Sequence, residues 1–260
     1  MLKLFSILIS LLIIPNAFAI TVQSKSVMVF KNEQIVIGKN PNKPLPLASI
    51  TKLMTAIIVL DNNLDINESI TITDDDVDHL KNTRSKLQVG ATIPRFHLLY
   101  LALMSSDNMA AHALARTFPG GFHRFIALMN NQAELYHMKK TIFVDSSGLN
   151  PNNVSTAWDV SILAKKAREF EVIQTITSTP FSFFDVKTSN AFTQFHNTNK
   201  RVGRNANILL SKTGHINEVG FNITSIYSKD KDEYTIVILG AVSKKQRDKD
   251  LRTIEQKFKL

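Results

Sequence analysis

Strand-forming sequence lies at both ends of this chain and helix-forming sequence lies between them. Residues 26–30 and 34–37 near the N-terminus, and 208–213, 220–227 and 234–242 near the C-terminus, are rich in Val, Ile and Thr. Such residues suit a pleated, packed surface. Val27 and Val29 alternate in the first run, and Asn32-Glu33 supplies a turn to the second. A charged stretch, 228–233, separates the last two. Between the ends, an apolar helix is expected over 49–60, and 65–150 reads as largely helical, with segments at 96–104, 109–118 and 122–138. Thr156-Ala157-Trp158-Asp159 has the form of a capping box with Asp in place of Glu, and opens another helix. In the basic tail, Leu251, Ile254 and Phe258 share one helical face. The pattern predicts an α/β fold: one antiparallel sheet assembled from both ends of the chain, flanked by helices, with a helical lobe at about 65–150.

A chain of 260 residues, 44% hydrophobic and 20% charged, has the composition of an ordinary globular protein. It has no cysteine, which excludes disulfides, a Cys-ligated zinc site, a thiol nucleophile and a lipoprotein anchor. The first residues read as an export signal. Lys3 precedes an apolar stretch at 4–14, Pro15 breaks it, and Ala17-Phe18-Ala19 is an A-x-A cleavage site. Residues 1–19 are therefore expected to be removed, leaving a functional domain at 20–260 that is expected in the periplasm. Beyond the signal no stretch is apolar for the roughly 20 residues a membrane span needs, so no transmembrane anchor is expected after cleavage. The net charge of +9 fits either an anionic partner, with wall polymers or a membrane surface favoured over nucleic acid, or simple solubility. Nucleic acid is not an expected partner of an exported chain. The seven histidines form no H-E-x-x-H, and there is no G-x-S-x-G elbow or Gly-rich phosphate loop. No metal or cofactor is implied: His112 and His123 read as packing or solvent-facing residues, and Trp158 and the phenylalanines as core.

One residue is out of place. The segment 46–60 is apolar nearly all round, so its helix should be buried, yet it carries Lys52. A buried ammonium needs a partner or a task. Ser49, three residues earlier, lies on the same face and within reach. Burial drives lysine toward the neutral amine, which can take a hydroxyl proton and make Ser49 a nucleophile. Ser106-Asp107-Asn108 falls between two apolar helices. Read alone it is a helix cap; read with Ser49 and Lys52, Ser106 is placed to pass a proton and Asn108 to bind a carbonyl or hold Lys52. Lys212-Thr213-Gly214 ends a strand. Lys212 and Thr213 suit a substrate carboxylate, and Gly214 lets an extended peptide lie close to the strand.

Each pattern alone is weak. S-x-x-K, S-D-N and K-T-G in this order form the signature of penicillin-recognising serine acyl-transferases. The wider segments 47–56, 103–108, 153–157 and 197–199 resemble the D-alanyl-D-alanine carboxypeptidase and endopeptidase family of low-molecular-mass penicillin-binding proteins. The resemblance spans about 22–242 and is greatest to the short, soluble endopeptidase branch. It implies a β-lactamase/transpeptidase-like fold and hydrolysis of D-alanyl bonds in peptidoglycan peptides, with β-lactam antibiotics as covalent inhibitors. By position, Ser49 forms the acyl-enzyme, Lys52 is the base, Ser106 and Asn108 belong to the relay and cleft, and Lys212 and Thr213 bind the carboxylate. The backbone N–H groups of Ser49 and His215 form the oxyanion hole. His215-Ile216-Asn217-Glu218 departs from the aromatic and small residues usual after K-T-G.

Two rival readings use the same motifs. A serine β-lactamase also needs a deacylating Glu, and the nearest segment, Asp145-Ser146-Ser147-Gly148-Leu149-Asn150, has Asp and a displaced Leu. A catalytically silent wall-binding protein would be expected to lack Ser49, Lys52 or Lys212, and all three are present.

Overall fold

The structure is a computed structural model that describes residues 21–186 and 193–260. The expected signal segment and its cleavage site at Ala17-Phe18-Ala19 lie outside the described residues. From the N-terminal side the elements are β1 (Ser26–Lys31), β2 (Gln34–Lys39), β3 (Leu45–Pro46), a 3-10 turn Ala48–Thr51, and α1 (Lys52–Asp61). Next come β4 (Ser69–Thr71), β5 (Thr92–Pro94), α2 (Arg95–Tyr100), a π-turn Leu101–Ser105, α3 (Asn108–Arg116) and α4 (Gly121–Leu135). Then follow β6 (Val154–Ser155), α5 (Ala157–Arg168), α6 (Glu171–Ser178), β7 (Phe181–Phe184) and β8 (Thr193–His196). The chain closes with β9 (Ile208–Ile216), β10 (Gly220–Lys229), β11 (Asp232–Ala241) and α7 (Lys244–Phe258).

The two ends do share one sheet, in the order β2-β1-β11-β10-β9, antiparallel throughout. β1 pairs directly with β11, Val27 opposite Ile238 and Val29 opposite Ile236. Successive side chains of a strand point to opposite faces, so an apolar strand serves two cores. Met28, Phe30, Val237 and Leu239 face the larger core, which includes α1, α3 and α5. Val27, Val29, Ile236 and Ile238 face a second, smaller core that α7 covers with Leu251 and Ile254. Phe258 of α7 packs on Tyr234. β2 is an exposed edge strand, which explains its missing alternation.

Three local expectations are corrected. Residues 65–150 are helical only from α2 to α4; β4 pairs with β5, and 136–153 run as loops with short bridges to β6. Thr, Asp and Asn in these stretches hydrogen-bond nearby backbone, as Asp78 does to Leu80, Lys81 and Thr83, and this competes with helix. Only half of the capping box forms: Thr156 Oγ1 accepts from Asp159 N–H, while the Asp159 carboxylate turns to Lys140 N–H and Thr141. Trp158 is 37% exposed and lies edge-on to Phe30, and Phe181 and Phe183 are exposed on β7, so these rings are not core.

Candidate active site

α1 is buried from Lys52 to Val59, as its composition requires. Its first turn is not α-helical, however. Ser49 lies in the 3-10 turn Ala48–Thr51, and the α-helix begins at Lys52. The expected helix from Ser49 is corrected to this extent. In a 3-10 turn, residues i and i+3 eclipse one another, which brings Lys52 squarely over Ser49. Lys52 Nζ stands 3.0 Å from Ser49 Oγ. The turn is tied to the sheet by buried Asn222 of β10, which donates to the carbonyls of Pro46 and Leu47 and accepts from Gly240 N–H.

The ammonium site is shielded from solvent. Lys52 is fully buried, and Nζ is 2.6 Å from Asn108 Oδ1 and 2.6 Å from the Ser147 carbonyl. Burial lowers its pKa to about 8, against the opposing fields of Asp145, Asp107 and Asp78. A neutral amine has two hydrogens and one lone pair. Both carbonyl oxygens can take the hydrogens, and the lone pair then faces the Ser49 hydroxyl. The same three contacts also suit the protonated ammonium, so one geometry serves both states.

Ser106 ends the π-turn in a left-handed conformation, φ +63°, and its hydroxyl accepts from Lys212 Nζ at 2.8 Å. Asp107 caps α3 by accepting from Ala110 N–H, which leaves Asn108 in the first turn with its amide in the cleft. The S-D-N segment is thus a cap through Asp107 and a site wall through its neighbours. Asn108 Nδ2 also donates to Thr83 Oγ1, which donates to Asp78.

Lys212 sits behind the cleft wall. Its Nζ is spent on Ser106 Oγ and the Thr213 carbonyl, and burial, then the charge of Lys52, holds its pKa well below the ordinary lysine value. Thr213 Oγ1 reaches the surface of the cleft and donates to Thr198 Oγ1 at 2.6 Å. Gly214 differs from expectation. A Cβ there would lie 2.9 Å from the Leu47 carbonyl and 3.1 Å from Ser49 N, so its lack of side chain lets β9 approach the Ser49 turn rather than a peptide. His215 projects outward and stacks on Phe221, ring centroids 4.0 Å apart.

Two adjoining cavities meet over Ser49, Thr83, Asn108 and His215. One, of about 230 Å³, runs toward Lys81, Leu149 and Asn217. The other, of about 410 Å³, runs past Ser106, Thr213 and Gly214 to Lys244 and Arg247. β9 is the edge strand beside this cleft.

Sequence reasoning missed one supporting loop. The Asp145 carboxylate accepts from the N–H groups of Ser147, Gly148 and Asn150 and folds the loop so that the Ser147 carbonyl meets Lys52. Gly148 has φ +85°, and a Cβ there would lie 1.9 Å from the Ala48 carbonyl. The signal was an Asp followed by Ser-Ser-Gly, a pattern suited to an Asx-type turn. It also bears on the β-lactamase alternative: the Asp145 carboxylate is committed to backbone and is not a base facing Ser49. No cluster of metal-ligating side chains occurs among the described residues, and no helix among them is long and apolar enough to cross a membrane.

Known proteins resemble this chain in sequence and in fold. The family model described as D-alanyl-D-alanine carboxypeptidase, peptidase S11, matches residues 14–243. The D-alanyl-D-alanine endopeptidase of Pseudomonas aeruginosa is 36% identical over 81% of this chain and 68% of its own length. That of Escherichia coli is 33% identical over 85% of this chain and 72% of its own. Among solved structures, the Streptomyces K15 DD-transpeptidase superposes with a TM-score of 0.84 over 91% of this chain and 97% of its own, at 24% identity, which speaks to the fold.

Proposed function

Because the chain belongs to the D-alanyl-D-alanine carboxypeptidase family, serine peptidases of peptidoglycan, we propose that Ser49 is its nucleophile and Lys52 the base that activates it. The observation that carries this reading is the 3.0 Å contact between Ser49 Oγ and a fully buried Lys52 Nζ whose other two contacts are carbonyl oxygens.

Neutral Lys52 removes the Ser49 proton as Oγ attacks the carbonyl of a D-alanyl bond. The N–H groups of Ser49 and His215 stabilise the oxyanion. The proton passes through Lys52 and Ser106 to the leaving amine as the C–N bond breaks, leaving an ester on Ser49. Lys212 supports this step by fixing the Ser106 hydroxyl. Water, deprotonated at Lys52, then attacks the ester and restores Ser49. The extended peptide lies along the outer edge of β9, and Thr213, with Lys212 behind it, receives the carboxylate beside the leaving amine. Benzylpenicillin, a strained amide bearing such a carboxylate, would follow the first half of this path. The N-terminal pattern supports export by a cleaved signal at 1–19, and a wall substrate supports a periplasmic site of action.

Intact-mass spectrometry after incubation with benzylpenicillin tests the reading. A stable adduct on the wild type and none on Ser49→Ala is expected. No adduct with the antibiotic intact would sink it, and no adduct with the antibiotic hydrolysed would identify a β-lactamase instead. N-terminal sequencing of the secreted protein should begin at Ile20.

A further inference from the structure

Past Thr213 the cleft opens into a strongly basic pocket of about 440 Å³. Lys200, Arg201 and Arg204 reach it from the loop between β8 and β9, and Lys244, Arg247 and Arg252 from α7. Thr198, Lys244 and Arg247 line both this pocket and the cleft over Ser49, so the two form one continuous trough. Little acid balances these cations. Asp248 accepts from Arg247 at 2.6 Å, and Arg201 pairs with Glu255 at 2.7 Å. Lys200, Arg204, Lys244 and Arg252 form no ion pair among the described residues. The loop is pre-formed: Asn197 accepts from Asn199 N–H, Asn199 from Arg201 N–H, and Asn199 Nδ2 donates to buried Ser211. Cations held by a fixed loop around a concavity repel each other, and an anionic occupant relieves that repulsion.

The position of the pocket decides which anion fits. In the reading above, on which this inference rests, the carboxylate at Thr213 belongs to the leaving group. The trough beyond Thr213 is therefore the path of whatever lies further along that leaving group. A terminal D-alanine ends at Thr213 and has nothing to place there. The leaving strand of a cross-link is a whole peptide with further free carboxylates. We propose that the basic pocket is a subsite for the carboxylates of a leaving peptide, and that it directs the enzyme toward cross-links and away from a terminal D-alanine.

The test compares the wild type with the triple variant Lys200→Gln, Arg204→Gln, Arg252→Gln, whose three positions lie outside the cleft over Ser49. Three reactions are followed: cleavage of a cross-linked peptide dimer, cleavage of a monomeric pentapeptide ending in D-alanyl-D-alanine, and acylation by benzylpenicillin. The variant should lose at least about tenfold in kcat/KM on the dimer, mainly through KM, while its pentapeptide and benzylpenicillin rates stay within about twofold. A dimer amidated at every leaving-strand carboxylate except the one beside the leaving amine, which Thr213 receives, should be as poor a substrate for the wild type as the free dimer is for the variant. An unchanged dimer-to-pentapeptide ratio in the variant, with the amidated dimer cleaved as fast as the free one, overturns the subsite. If the wild type forms no benzylpenicillin adduct, the failure lies in the Ser49 assignment and not in the pocket. If the variant does not fold, the amidated dimer on the wild type decides alone.

Discussion

At the scale of single residues, the site turns on the protonation of Lys52. Its amine is buried between α1, Asn108 and the Ser147 carbonyl, and the lowering to about 8 follows from that burial. In the proposed mechanism the active form is the neutral amine, so acylation by benzylpenicillin should speed up as pH rises through about 8 and level off above it. Stopped-flow acylation across pH 6 to 10 reads this limb directly; a flat profile would mean that another group is the base. Lys52→Arg, which stays protonated, should slow acylation by about 10²–10⁴-fold at every pH. Gly148 is the second decisive position. Gly148→Ala adds both a left-handed strain and a collision with the Ala48 carbonyl one residue before Ser49. Gly90 has a similar φ of +87° and nothing within 4 Å, so Gly90→Ala isolates the strain of about 1–2 kcal/mol. Thermal melts should show Gly148→Ala losing clearly more than Gly90→Ala, and only Gly148→Ala should also slow acylation.

At the scale of elements, a buried carboxylate ties the helical lobe to the loops that flank the cleft. Asp76 accepts from His112 Nδ1 at 2.9 Å and from Arg116 Nη2 at 2.8 Å, both on α3, whose first turn carries Asn108. Burial raises the Asp76 pKa, and the bonds from His112 and Arg116 more than reverse this, holding it down at about 2. Its folded value lies below the ordinary 3.8. The stability it contributes is therefore complete above about pH 4 and is lost as pH falls toward 2. Asp76→Asn should cost about 2 kcal/mol near neutral pH, with a gap that closes in the acid limb of a melting curve measured against pH. A constant gap down to pH 2 would contradict the assignment. At this scale the sequence was legible wherever period and burial agreed. α1, β9, β10 and β11 lie where their apolar runs place them. The loops at 65–94 and 136–153 were not legible, because their short Thr, Asp and Asn side chains bond to backbone in patterns that no hydrophobic period records.

At the scale of the whole molecule, the sheet separates two cores of unequal size. α7 closes the smaller with Leu251 and Ile254, both fully buried. Leu251→Ala should destabilise the fold by about 2–5 kcal/mol, seen as a lower urea midpoint. Acylation of the folded fraction should be unchanged, because the lost methyl groups face away from Ser49. Loss of acylation without loss of stability would place α7's apolar face in the catalytic machinery. The same helix presents Lys244, Arg247 and Arg252 to the basic pocket, so one element both covers the core and charges that end of the trough.

The amino-acid sequence by itself picked out the residues of the proposed chemistry: a serine and a lysine three apart in an apolar segment, with the S-D-N and K-T-G segments downstream in order. Those features are local, and burial of a lysine is a statement that composition can make. Only the tertiary structure decided how the parts meet. It put Ser49 on a 3-10 turn instead of an α-helix, set Lys212 behind Ser106, and turned Gly214 toward the backbone of the Ser49 turn. It brought the Asp145 loop onto Lys52, and the loop after β8 beside α7 to make the basic pocket. Each of these is a contact between residues far apart in the chain, fixed by packing and backbone hydrogen bonding across the fold, and no local pattern carries such information.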